Sequence, residues 1–168
     1  MAKGLISAVE GQLGLPGARS LQNLHPLVIH YPVAFLTGAV LLYFIAWAMH
    51  RESWAWTGLW LLGLGTLAAA VAVYTGLRAD DGVMIAPSVR EHILYYHKRY
   101  MLAAFSLGVV LSTWALIARP MPMRGRWAFL LLLLMLAGLL TKGADYGGWM
   151  VYSYNAGGSL PQPIEFSQ

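Results

Sequence analysis

At 168 residues the chain holds one domain's worth of material; it is 58% hydrophobic and 11% charged, where soluble domains carry roughly 25% charge. Mean hydropathy is +0.58, so lipid is the solvent for most of it, and the net charge of +4 is not a nucleic-acid signal. The absence of cysteine excludes disulfides, thiolate zinc sites, iron–sulfur clusters and a covalently attached c-type haem. Any bound metal or haem must be held by His, Met, carboxylate or backbone.

Residues 1–24 pattern as an N-terminal arm in which Leu5, Ile6, Val9 and Leu13 share one helical face, ending near Gly14 and Pro16. The arm is too short and polar to span, and fits a helix lying in the membrane interface. Glu10 and Gly11 interrupt the apolar core that a cleavable signal requires, so none is expected. The first span covers about 26–49: Pro26 suits a first helical turn, and Pro32 predicts a kink near His30. His50, Arg51 and Glu52 form a short hydrophilic turn.

The second span covers about 53–77, where Gly58, Gly63, Gly65 and Ala68 to Ala70 make a small-residue surface for a neighbouring helix. A polar loop over 78–91 follows, with Asp80, Asp81, Gly82 and Pro87. The third span opens near His92 or His97 and runs to Ala118, where a basic, proline-broken turn from Arg119 to Arg126 ends it. The fourth, from Trp127 to about Thr141, is short for a bilayer that needs roughly 20 residues, so its helix should continue through Lys142, with Lys142 and Asp145 as a surface ion pair. The glycine- and aromatic-rich stretch from Tyr146 to Tyr152 reads as an interfacial turn, and 153–168 as an extended tail.

These spans predict an all-α fold, an up-down-up-down four-helix transmembrane bundle over 25–152. The arm, the 78–91 loop and the tail then share one side. The two tight turns share the other and hold Arg51, Arg119, Arg124 and Arg126 against Glu52. By the positive-inside rule the turns are cytoplasmic. Both termini and His25, His30, His92 and His97 then face the periplasm of a bacterial inner membrane.

Two H-x4-H pairs, His25/His30 and His92/His97, open the first and third spans, which run in the same direction. Helical residues five apart are turned by roughly 140° and rise about 7.5 Å, so only one of each pair can face the bundle axis. His25, just before Pro26, reads as non-helical lead-in, which favours His30. Helices pack 8–10 Å apart, leaving diagonal partners at roughly 13 Å, a gap that suits two axial imidazoles with an iron porphyrin between them. His30 and His97 are the preferred axial pair, with His25 and His92 beside them or forming a second site. Counting back from the tight turns instead sets His97 level with His25, and Met101 opposite His30. Lys98, Arg99 and Arg90 are candidates for the propionates. Ala34, Gly38, Ala104 and Gly108 would leave room for a flat macrocycle, and Tyr31, Tyr95, Tyr96 and Tyr100 would wall it. Against this, a single histidine at a helix entrance is ordinarily an interfacial residue, as His50 is expected to be. Paired intramembrane ionisable residues default to function. No nucleophile elbow or phosphate loop is present.

The run from Leu24 to Ala34, L-H-P-L-V-I-H-Y-P-V-A, resembles the L-H-P-L-L-V-H-F-P-I-A-like opening of a family of uncharacterised bacterial four-helix membrane proteins. His97 to Ala103 and Gly147 to Tyr152 are similar to it as well, so the likeness covers about 24–158; Lys142 to Asp145 carry more charge than the family ending. The resemblance implies redox work beside cytochrome-like partners, with b-type haem as in small membrane cytochromes. The expected function is therefore a subunit carrying one haem b, or two. It would move electrons between quinol and a periplasmic cytochrome or other redox subunit. The alternatives are a cofactor-free membrane anchor or scaffold, and thirdly a protein binding a plain metal ion such as copper or zinc.

Overall fold

The computed structural model describes residues 24–80, 82–83 and 85–156; the expected interfacial arm and nearly all of the expected tail lie outside them. Four helices are long and apolar enough to cross a membrane: α1 (His25–Met49), α2 (Glu52–Asp80), α3 (Pro87–Ala118) and α4 (Arg126–Tyr154). Consecutive helices pack side by side and α4 closes back on α1. The result is an integral membrane up-down-up-down bundle in which α1 and α3 face each other across the diagonal. The α1–α4 seam is the sparsest of the four.

Three local features depart from the sequence expectation. Helix α1 is interrupted at Ile29, next to His30 where the kink was expected, because Pro32 has no N–H to give the Val28 carbonyl; the departure is that His25, expected as non-helical lead-in, belongs to a helical turn, His25–Val28. The polar loop is shorter than 78–91, because α2 runs to Asp80 and α3 restarts at Pro87, with a π-helical turn at Arg90–Leu94. Helix α4 passes straight through the glycine-rich stretch to Tyr154, where an interfacial turn was expected. Inside a bilayer, satisfying the backbone outweighs the low helix propensity of Gly147 and Gly148. Lys142 and Asp145 are both exposed and no ion pair joins them.

The core is built on the inward stripes of the four helices, and it thickens toward the tight turns. There Tyr43 is wholly buried, packs edge-on to Phe129 with ring centroids 5.0 Å apart, and donates its hydroxyl to the Pro120 carbonyl at 3.0 Å. Gly58 lies against the Tyr43 ring, where an added Cβ would stand 3.2 Å from it. Halfway up, Thr66 and Ser112 share a hydrogen bond of 2.9 Å across the α2–α3 contact.

Beyond that level the inward residues become small. On α2 the stripe continues as Ala69, Ala72, Gly76 and Ala79, and on α4 the large Phe129, Leu133, Leu136 and Leu140 give way to Gly143, Ala144 and Gly147. Helices held apart by big side chains at one end cannot close on small ones at the other. Space is left between them.

Candidate cofactor site

That space is a cavity of about 410 Å³ bordered by all four helices at the end remote from the tight turns. Its walls are mainly aliphatic: Ile29, Leu36, Val73, Leu94, Leu140 and Val151 are among them. Two imidazoles enter it from the diagonal helices. His25 lies on the same stripe of α1 as Ile29, Pro32, Leu36 and Tyr43, and His97 on the same stripe of α3 as Met101, Ala104, Gly108 and Leu111. The steps of three, four and seven between these positions are those of a single helix face.

Each ring is seated on a glycine of the next helix. A Cβ added to Gly76 would stand 2.9 Å from His25 Cε1, and one added to Gly147 would stand 3.1 Å from His97 Cε1. Each ring also has its Nδ1 held. His97 Nδ1 donates to the Gly143 carbonyl at 2.8 Å; an acceptor-only partner requires the proton on Nδ1, leaving the lone pair on Nε2. His25 Nδ1 lies 3.2 Å from Thr75 Oγ1, whose own proton has the Val71 and Ala72 carbonyls within 3.0 and 3.1 Å. The Thr75 hydroxyl is thus a hydrogen-bond partner of the His25 ring. The two halves of the bundle present their imidazoles by the same device, each ring on a glycine of the next helix with its Nδ1 held.

The remaining sequence candidates fall elsewhere. His30 is exposed at the cavity rim, so the inward imidazole of α1 is His25, where the sequence favoured His30; the helical turn around Pro26 is the reason. His92 is exposed and its Nδ1 donates to Ser88 O, one turn back on its own helix, at 3.1 Å. Met101 lines the cavity a turn beyond His97 and fills the room a side chain at Gly143 would need.

Of the basic residues, Lys98 lines the cavity and is bound to Asp80 at 2.7 Å. Arg90 shares that carboxylate at 2.9 Å and also donates to the Asp80 and Val83 carbonyls. Two cations against one acid leave this rim with a net positive charge. Arg99 turns outward, its guanidinium 5.3 Å over the Tyr95 ring and bonded to that residue's hydroxyl.

The expected walls and clearances also differ. Gly38 receives Leu61 and Gly108 receives Thr66, as helix-crossing points rather than cavity floor, and Ala34 is exposed. Of the four, Ala104 alone lines the cavity. Tyr96 and Tyr100 stack on Tyr146 at 5.8 and 5.7 Å, while Tyr31 and Tyr95 are exposed; the aromatic side chains that line the cavity are Phe105 and Tyr152. Sequence reasoning missed Thr75, Gly76, Gly143 and Gly147. The signal was present: each glycine lies about fifty residues after its histidine, one hairpin later.

A site of this composition can grip a flat or elongated apolar molecule and offer it two nitrogen ligands. Among the described residues no three His, Cys, Asp or Glu side chains converge as a metal site. Fold and site together define a four-span helical membrane protein with a histidine-bearing cavity at one end. The chain belongs to the family described as "Predicted membrane protein (DUF2231)", whose profile matches residues 21–159. No curated protein and no solved structure matches it.

Proposed function

We propose that this protein is a haem b-binding subunit of a redox complex in a bacterial inner membrane. It would carry electrons between quinol in the bilayer and a partner redox protein, such as a cytochrome, on the outer face. The observation that carries the reading is the pair of glycine-seated imidazoles, His25 and His97, entering one apolar cavity from diagonal helices. These two residues would hold the haem iron, with one haem for the cavity. The Gly143 carbonyl acting through His97 Nδ1 is the outer-shell contact that fixes a ligating ring and raises its basicity. The net positive charge of Arg90, Lys98 and Asp80 at the rim suits two carboxylate arms. Bound haem b supplies a one-electron carrier; the protein's part is to hold it dry and near the outer surface. The excess of arginine in the tight turns supports the orientation with the histidine end outward.

A reduced-minus-oxidised spectrum and a pyridine haemochrome assay on the detergent-purified protein test the reading. Wild type should bind one haem per chain. His97→Ala should abolish the Soret absorbance and His25→Ala should remove most of it, while His30→Ala and His92→Ala should retain it. A wild-type protein that expresses with haem available and carries none overturns the proposal. What then remains is an anchor or scaffold subunit, in which alanine at all four positions leaves assembly intact.

A further inference from the structure

A second concavity lies on the outside of the bundle, in the half nearer the tight turns, and owes nothing to the histidines. It is a groove of about 450 Å³ between α2 and α3, walled by Trp56, Trp60, Leu64, Leu67 and Leu116, with Arg119 at its end. Its floor is Gly63, where an added Cβ would meet nothing within 4 Å. Trp60 and Leu67 are each 68% exposed, so the groove faces lipid. From Trp56 to Leu67 α2 rises about 16 Å, close to the roughly 15 Å of hydrocarbon in one leaflet. A groove of that length, ending at the tight turns, would set its polar end at headgroup level. Arg119 follows directly on the last residue of α3 and its Nε donates to the Leu116 carbonyl at 3.0 Å, which holds the guanidinium over the groove. Arg51, Arg124 and Arg126 share that end of the bundle, and its one acid, Glu52, accepts from Trp56 Nε1 at 3.1 Å.

We propose that this groove binds one anionic phospholipid, an acyl chain lying along Gly63 between Trp60 and Leu67 and the phosphate on Arg119. Length match fixes the chain and charge fixes the headgroup class. The site is independent of the haem reading, since it shares no residue with the cavity, and of which face of the membrane the turns occupy.

Native mass spectrometry of protein released from nanodiscs of equal phosphatidylglycerol and phosphatidylcholine tests it. Wild type should retain a single phosphatidylglycerol, preferred over phosphatidylcholine. Arg119→Gln should cut that preference about fivefold, the effect of one basic residue at an anionic surface, and Arg119→Lys should keep most of it. Gly63→Leu, pointing into open space, should fold normally by thermal melt and lose the retained lipid of either kind. Equal retention of the two lipids by wild type, or unchanged retention in both Arg119→Gln and Gly63→Leu, overturns the proposal and leaves ordinary boundary lipid.

Discussion

The two ends of the bundle are made from the same four helices and differ in how their interior is filled. Toward the tight turns the inward positions carry Tyr43, Phe129, Leu133 and Leu111, and even the polar groups there, Tyr43, Thr66 and Ser112, are hydrogen-bonded within the protein. Toward the opposite end they carry Ala72, Gly76, Ala144 and Gly147, with two imidazoles in place of large apolar side chains. In lipid, helices gain little from hydrophobic transfer and are held by close packing and interhelical hydrogen bonds. The filled end therefore holds the fold together, and it releases the hollow end from that duty. A membrane protein selected for stability alone would have leucines where these alanines stand.

The sharpest way to break this contrast is to hollow the filled end. Phe129→Ala removes a ring packed against both Tyr43 and Trp114 and should cost about 3–5 kcal/mol, read by unfolding in mixed detergent micelles. An equally hard change at the other end should go the opposite way. Ala72→Leu fills cavity volume, so stability should rise by about 0.5–2 kcal/mol while haem content falls to background. A destabilised Ala72→Leu variant that still binds haem would show that the cavity end is as tightly built as the rest.

How much of this was legible in the sequence follows the same division. Spans, their order and the bundle topology could be read because hydrocarbon requires long apolar helices and leaves few alternatives. Helix ends were less legible. The stretch from Tyr146 to Tyr152 has a loop's composition, but with few waters to satisfy its backbone it stays helical. The site was half legible. His97 could be placed inward, whereas His25 was discounted because Pro26 and Pro32 obscure the count. Carrying the stripe back from Tyr43 through Leu36, Pro32 and Ile29 reaches His25, and the kink at Ile29 does not throw it off. Of the glycines that seat the rings, Gly147 was read as part of an interfacial turn and Gly76 was passed over. Their offset of about fifty residues from His25 and His97, one hairpin later, was the signal that could have paired them with the rings.

A milder perturbation concerns the turn end's polar latch. Tyr43→Phe keeps the aromatic packing with Phe129 and deletes only the hydrogen bond to the Pro120 carbonyl, 3.0 Å long and wholly buried. That should cost about 1 kcal/mol, with the haem spectrum unchanged. A shifted spectrum would mean that the two ends communicate, which no packing contact described above provides for.

The smallest effect tests where the boundary between the two ends lies. Thr66 and Ser112 bond at 2.9 Å, and Ser112 also reaches the Leu62 carbonyl at 3.3 Å. Gly108 is what admits Thr66, whose Oγ1 would stand 3.2 Å from a Cβ at that position. Interhelical hydrogen bonds between such groups in bilayers average about 0.6 kcal/mol, so a double-mutant cycle on Thr66→Val and Ser112→Ala should return a coupling of that order. Because Thr66 lies one turn before Ala69, where the cavity lining begins on α2, this bond ties α2 to α3 at the cavity's inner end, as Asp80 with Lys98 and Arg90 ties them again at its mouth. Its coupling should be the same with and without haem if the hollow end is preformed. A coupling that grows when haem binds would instead mean that the ligand draws α2 and α3 together, and that the cavity is shaped by what fills it.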